Sequence, residues 1–260
     1  MNEPTPYPDV NAMLAKLLPN MQAVLGNHLI GFYLDGSLTG SDFDEDSDID
    51  FVAVTDVEVT GDLFESLRTM HDRIATTDSV WAIQLEGSYV SVDALRRHDP
   101  AHTLHPNIER GTGERLKLAH HDEGWNIHRW VVREHGITLI GPDPHTLIDP
   151  VTAEDLRRAM QPILTGWATN LLNDPAQITG RGYQSYIVLS LCRILYTIER
   201  GAVASKRVAA QWAQATLDAR WMALIDRAWE GRHQPGMNAA PDEVSETLAF
   251  IRYTLDRASV

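Results

Sequence analysis

The chain has 260 residues, enough for one large or two small domains, and its 43% hydrophobic content suits a globular protein with a core. A net charge of −14, from 22 basic and 36 acidic residues, disfavours nonspecific nucleic-acid binding and favours a cationic small-molecule substrate. No apolar run approaches the ~18 residues that cross a bilayer, the first residues lack a signal-peptide pattern, and Cys192 is the single cysteine, so a cytoplasmic protein without membrane association or an internal disulfide is expected.

In chain order, Val10, Met13, Leu14, Leu17 and Leu18 predict a helix over 9–27, interrupted or kinked at Pro19. Strands are expected at 28–35 and 49–55. Leu63, Phe64, Leu67, Met70 and Ile74 mark a helix between Thr60 and Asp78. A third strand is expected over 80–90. Residues 98–120 carry Pro100, Pro106, Gly111 and Gly113 and read as loop. Trp125 to His135 reads as a helix closed by Gly136, followed by a short strand at 137–140 and a turn at Gly141-Pro142-Asp143-Pro144. After Pro150 the pattern becomes helical throughout. Thr152 begins a helix as its N-cap, with Glu154 and Asp155 in the first turn, and helices follow over about 154–173, 182–200, 205–218, 219–231 and 242–257. The reading is an α/β domain over 1–152 and an all-α domain over 153–260. Cys192, among Leu189, Leu191 and Leu195, reads as a core thiol.

The most informative local pattern is an apolar strand ending in Gly36-Ser37, then, after ten residues, Ser47-Asp48-Ile49-Asp50 opening a second apolar strand. Alternation along a strand points Asp48 and Asp50 the same way. Two such carboxylates repel unless a cation lies between them, and Mg²⁺ takes hard oxygen donors together with substrate phosphates. Glycine lets backbone approach an anion, and the following turn offers a hydroxyl. Asp42, Asp44, Glu45 and Asp46 compete for the metal role, but no apolar strand follows them directly, so they read as a solvated loop. The eleven histidines, His102, His105, His120, His121 and His128 among them, form no His-Glu-x-x-His pattern, and one cysteine cannot build a Cys-rich zinc site. Trp81 and Trp125 are candidates to face a cleft; the remaining tryptophans read as core or domain contacts.

Gly36, Ser37, Ser47, Asp48 and Asp50 together resemble the nucleotidyltransferase superfamily that includes DNA polymerase β. The resemblance implies a mixed-sheet α/β (α+β) domain. Its Gly-Ser turn, together with Ser47, holds the nucleotide's phosphates and its two aspartates bind Mg²⁺. A third carboxylate comes from a neighbouring strand, here Glu86, as a metal ligand or general base. A second resemblance covers the back of the chain. Arg133-Glu134-His135-Gly136, Gly141-Pro142, Asp149-Pro150 and the run from Val188 through Arg193, Tyr196, Gly201, Ser205-Lys206 and Trp212 are similar to bacterial aminoglycoside adenylyltransferases of the streptomycin/spectinomycin group. That resemblance implies ATP as co-substrate, a helical-bundle second domain, and Arg193 and Lys206 as partners of the triphosphate. The implied reaction moves AMP to an antibiotic hydroxyl and releases pyrophosphate. The chain departs from two-drug members on the acceptor side. Tyr183 stands where they carry an acid, and His105-Pro106-Asn107 lies near where they carry a tryptophan. Glu109, Glu114, Asp122, Glu123 and Asp174 are candidates to meet a cationic acceptor. The alternatives are the same chemistry on another metabolite, and an antitoxin-like module that modifies a partner protein.

Overall fold

A computed structural model describes residues 3–258. Its chain divides into two compact units between Val151 and Thr152, one residue ahead of the division expected from sequence. Thr152 groups with the helix it starts: its hydroxyl accepts from Asp155 N at 3.1 Å and Asp155 Oδ2 accepts from Thr152 N at 2.9 Å, a reciprocal capping box.

The first unit opens with α1 (Pro8–Leu25), whose buried face is Val10, Met13, Leu14, Leu17, Met21 and Leu25. Pro19 does not end it. The proline lies on the exposed face, where its missing N–H leaves no buried acceptor, and the Asn20 amide donates to the Lys16 carbonyl at 2.9 Å. Strand β1 (Leu29–Leu34) and β2 (Ile49–Thr55) pair antiparallel, and α2 (Gly61–Ala75) follows. The apolar segment expected to be one strand over 80–90 is split. Val80–Ile83 form a 3₁₀ turn and β3 runs Leu85–Ser91, parallel to β2. A short helix α3 (Val92–Arg96) comes next.

The segment read as loop contains two further strands, β4 (Leu104–Ile108) and β5 (Lys117–His120). Pro106 sits within β4, opposite Leu118 of β5, and the ladder to β3 is confined to Gly87–Ile108 and Ser88–Asn107. Helix α4 (Asn126–His135), β6 (Ile137–Ile140) and α5 (Pro144–Leu147) complete the unit. Gly136 closes α4 in extended rather than left-handed backbone, and a Cβ there would collide with the Val132 carbonyl. The strands form one mixed six-stranded sheet in the order β5-β4-β3-β2-β1-β6.

Strand alternation gives the sheet two apolar faces. Phe32, Leu34, Ile49, Phe51, Ala53, Leu85 and Tyr89 pack on α1 and α2. Tyr33, Val52, Val54 and Val90 pack on the other side, against Val132 of α4 and Ala94 and Leu95 of α3. Trp81 belongs to the first of these cores, stacked on Phe43 with centroids 5.4 Å apart, and does not face a cleft.

The second unit is helical: α6 (Ala153–Asn173), α7 (Arg181–Arg200), α8 (Lys206–Thr216), α9 (Met222–Gly231) and α10 (Pro241–Ala258). Helix α7 is central. It packs on all four others and buries Ile187, Val188, Leu191, Ile194 and Leu195. Cys192 is fully buried there, and burial pushes its thiol up to about 12, the environment of an inert core thiol. The pairing of Gly180 with Asn238 is a lone bridge outside the named strands.

Candidate active site

The parity that puts Val52 and Val90 against α4 also puts Asp50 and Glu86 on that side of the sheet. The two residues are register partners on the parallel strands β2 and β3. Neighbouring strands lie about 4.8 Å apart, so the two carboxylates emerge side by side. Asp48 precedes β2 and has the parity of Asp50. Asp35, just past β1, has the parity of Tyr33, and its N–H donates to the Asp50 carbonyl at 3.0 Å. Four carboxylates therefore meet at one end of three adjacent strands.

Their electrostatics follow from this crowding. Burial, then the charges of Asp48, Asp35 and Glu86, raise the Asp50 pKa well above the usual carboxylate value. Burial and Asp48 raise Glu86 likewise. Two cations relieve part of the repulsion. Arg110 Nη1 lies 3.5 Å from Asp48 Oδ2. His128 Nδ1 lies 2.6 Å from Oδ2 of Asp35, a carboxylate only 3% exposed. Burial opposes charge on His128, but Asp35, Asp50 and Glu86 outweigh it and hold the imidazole above its ordinary pKa.

Gly36 and Ser37 lie in a 3₁₀ turn after β1. Gly36 has φ +61°, and a Cβ there would overlap the Asp50 carboxylate, so only glycine fits against the acid cluster. Its N–H is used within the turn, donating to Asp35 Oδ1 at 2.6 Å. The Ser37 hydroxyl is buried and has no hydrogen-bond partner in the protein. A buried hydroxyl of this kind is a group that awaits a ligand or water. Ser47 is committed locally: its hydroxyl contacts Asp44 Oδ1 at 3.0 Å, and Asp44 also accepts from Asp46 N at 3.2 Å. That turn explains the upstream acids as loop architecture.

Asp35, Asp50, Glu86, Ser88, Asn107, His121, Trp125 and His128 line one cleft of about 200 Å³. One wall is aromatic. His121 stacks on Trp125 at 4.3 Å, and Trp125 on His128 at 5.5 Å. Arg129 anchors this wall from behind. It is 1% exposed, lies 4.9 Å over the Trp125 ring, and donates to the Leu95 carbonyl at 3.1 Å and the Ala94 carbonyl at 2.8 Å. Burial lowers its pKa to about 10, still charged at neutral pH.

Several acids proposed to meet an acceptor are occupied elsewhere. Glu109 and Glu114 pair with Lys117 at 2.9 and 3.4 Å. Asp122 caps the turn before α4, accepting from Gly124 N at 2.8 Å, and Asp174 accepts from Gln177 at 2.8 Å. The cleft's acids are Asp35, Asp50 and Glu86 instead.

The remaining candidates belong to the helical unit. Arg193, half-buried on α7, donates from Nε to the Ala204 carbonyl at 3.1 Å, which answers the cost of a charge in an apolar helix. That contact sets it beside the loop leading to Lys206, the first residue of α8, whose N-cap Ser205 accepts from Val208 N at 3.2 Å. Tyr183 stacks on Tyr186 at 6.0 Å.

Sequence reading missed Asp35, Arg110 and His128 as members of the acid cluster. Asp35 adjoins the Gly-Ser motif and was the most findable, as a carboxylate at the end of an apolar strand. His128 contacts it from 93 residues away, and no local pattern announces that.

Among the described residues no three His, Cys, Asp or Glu side chains converge to hold a metal ion by themselves. The donor set still fits Mg²⁺, which binds through one or two carboxylates and completes its shell with water and phosphate. Burial and the neighbouring acids disfavour the charged form of Asp50, a cost that a bound cation would relieve.

Residues 146–257 match the aminoglycoside adenylyltransferase C-terminal domain family. An aminoglycoside (3'') (9) adenylyltransferase of Escherichia coli is 32% identical over 123 residues, an alignment that spans 46% of this chain and less than half, 44%, of that protein. A spectinomycin 9-adenylyltransferase of Staphylococcus aureus strain N315 is 27% identical over 238 residues, 88% of each chain. The fold is shared with a solved spectinomycin adenyltransferase, AAD(9) from Enterococcus faecialis with ATP and spectinomycin, at a TM-score of 0.72 and 19% identity over 94% of this chain and 98% of that one. The similarity is thus to aminoglycoside adenylyltransferases, by family model over residues 146–257 and by an aligned relative over 88% of the chain.

Proposed function

We propose that this chain transfers AMP from ATP to a hydroxyl of an aminoglycoside- or aminocyclitol-type antibiotic, with Mg²⁺, and releases pyrophosphate. The observation that carries the reading is the register pairing of Asp50 with Glu86, next to Asp48 and under a glycine turn that tolerates no side chain. Similarity to adenylyltransferases supports adenylyl transfer, and the relatives named for spectinomycin support an aminocyclitol as acceptor.

In this reading Glu86 takes the proton of the attacking hydroxyl. Its raised pKa brings it closer to the range where a general base works at neutral pH. The hydroxyl oxygen then bonds to the α-phosphorus, the bond to the pyrophosphate oxygen breaks, and pyrophosphate leaves. Ser37 offers its unpartnered hydroxyl to the phosphates, while Gly36 keeps the backbone low enough for them to approach. Arg193 and Lys206 are assigned to the triphosphate, where guanidinium and ammonium neutralise phosphate oxygens. Asp48 and Asp50 would hold Mg²⁺, which when bound neutralises charge on the phosphate oxygens.

The test is pyrophosphate release from ATP and Mg²⁺ across a panel of aminoglycosides and aminocyclitols. Release with at least one drug is expected. Release with none would reject the antibiotic acceptor and favour another metabolite or a protein target.

A further inference from the structure

Beyond the acid cluster, the floor of the cleft holds a chain of polar side chains with no part in adenylyl transfer itself. Ser88 lies two residues beyond Glu86 on the same face of β3, about 6.6 Å along the strand. Its hydroxyl donates to Asn107 Oδ1 at 2.7 Å and lies 3.1 Å from His121 Nε2. A serine has one proton, and the amide oxygen can only accept. Spending that proton on Asn107 requires His121 to donate from Nε2, so the neutral imidazole carries its hydrogen there and leaves Nδ1 bare. The Nδ1 atom is buried without a partner, as this tautomer requires it to tolerate. His121 is itself clamped between Trp125 and His105, with centroids 4.3 and 4.7 Å away. The relay has one self-consistent sense, from His121 through Ser88 to Asn107 Oδ1, which turns the Nδ2 end of the Asn107 amide away from Ser88. Asn107 lines the cleft, and among the described residues its side chain is bonded through Oδ1 and not Nδ2.

We propose that Asn107 is a specificity-determining residue of the acceptor site, presenting Nδ2–H to an oxygen substituent of the acceptor's ring, with Ser88 and His121 as its positioning residues. The strand spacing sets this contact about one sugar-sized ring away from Glu86, so the molecule is gripped on the side opposite the hydroxyl that reacts. A donor at this point matches a hydroxyl, ether or carbonyl oxygen and rejects an ammonium, which can only donate. The inference rests on the adenylyl-transfer reading and adds the sense of the acceptor's polar contacts.

Two measurements test it. The first is steady-state transfer to spectinomycin by the full chain, comparing wild type, N107A, S88A and the double variant. Loss of one hydrogen bond to the acceptor is expected to raise the spectinomycin KM about tenfold, with kcat and the ATP KM within about twofold. The S88A variant should reproduce most of that rise, and the double variant should add little to N107A, because both substitutions remove the same contact. The second is the His121 tautomer in the free protein, read from imidazole ¹⁵N shifts, which should show the proton on Nε2. A spectinomycin KM unchanged in N107A, independent effects of S88A and N107A, or a proton on Nδ1 of His121 would each overturn the inference while leaving adenylyl transfer standing. Absence of wild-type transfer to any acceptor would overturn both.

Discussion

Asp50 and Glu86 face each other as register partners on parallel strands, and burial raises the pKa of both. A half-buried, mutually repelling pair is a poor choice for stability and a sensible one for holding a cation and accepting a proton. The same relationship generates the first prediction. Asp50→Asn removes a charge that burial and three neighbouring acids disfavour. The free variant should be at least as stable as wild type in urea, while turnover falls by two orders of magnitude or more. Loss of fold in this variant, or retention of activity in either it or Asp48→Asn, would contradict the assigned roles.

Gly36→Ala provides a steric test of the turn. A methyl group there overlaps the Asp50 carboxylate and sits on backbone with φ +61°. A loss of roughly 1–3 kcal/mol in stability is expected from denaturant titration, together with weaker ATP binding by calorimetry. Wild-type ATP affinity in this variant would place the phosphates elsewhere.

The wall that carries Trp125 and His128 depends on Arg129, which ties α4 to the carbonyls of Ala94 and Leu95. Arg129→Met keeps much of the volume but strips those carbonyls of their donors. It should lower stability by roughly 3 kcal/mol, as expected for hydrogen bonds to a buried charge. Unchanged melting would show that the helix is held by its apolar face alone.

A pH dependence of stability comes from the opposite face of the sheet. His71 is buried, its Nε2 lies 2.7 Å from the Tyr89 hydroxyl, and burial lowers its pKa to about 4. The unfolded chain, with an ordinary value of about 6.5, takes up the proton first. The stabilising contribution is therefore complete above about pH 6.5 and is lost as pH falls toward 4. Between pH 7 and pH 5 the loss from this residue is about 2 kcal/mol. In His71→Gln the fall in unfolding free energy between pH 7 and 5 should be smaller by that amount. An identical slope in both proteins would mean that His71 is not buried neutral.

Much of this arrangement is legible in the sequence, because local patterns carry it. Gly36-Ser37 and Asp48-x-Asp50 sit at strand ends whose apolar runs are unbroken, and Glu86 lies in the next such run. Other parts are hidden for physical reasons. Strand β4 contains Pro106, which offers no N–H and reads as a breaker, yet the fold uses it where its partner is Leu118 of the edge strand β5. Val80–Ile83 is as apolar as a strand and folds as a 3₁₀ turn against the first core. The partnership of Asp35 with His128, and the chain from His121 through Ser88 to Asn107, join residues from different elements, and periodicity says nothing about such pairings. Net charge does not locate the acids of the cleft either: Glu109 and Glu114 pair with Lys117, while the acids that line the cleft are Asp35, Asp50 and Glu86.

The central claim is adenylyl transfer to an antibiotic, and the fate of a labelled phosphate tests it most directly. Full-length protein would be incubated with Mg²⁺, spectinomycin or another drug that supports pyrophosphate release, and ATP labelled at either the α- or the γ-phosphate. The account predicts that the α-label becomes covalently attached to the drug and the γ-label appears only in pyrophosphate, with neither result in Asp50→Asn. Label from the γ-phosphate on the drug, or no label on any drug in the panel, would contradict it.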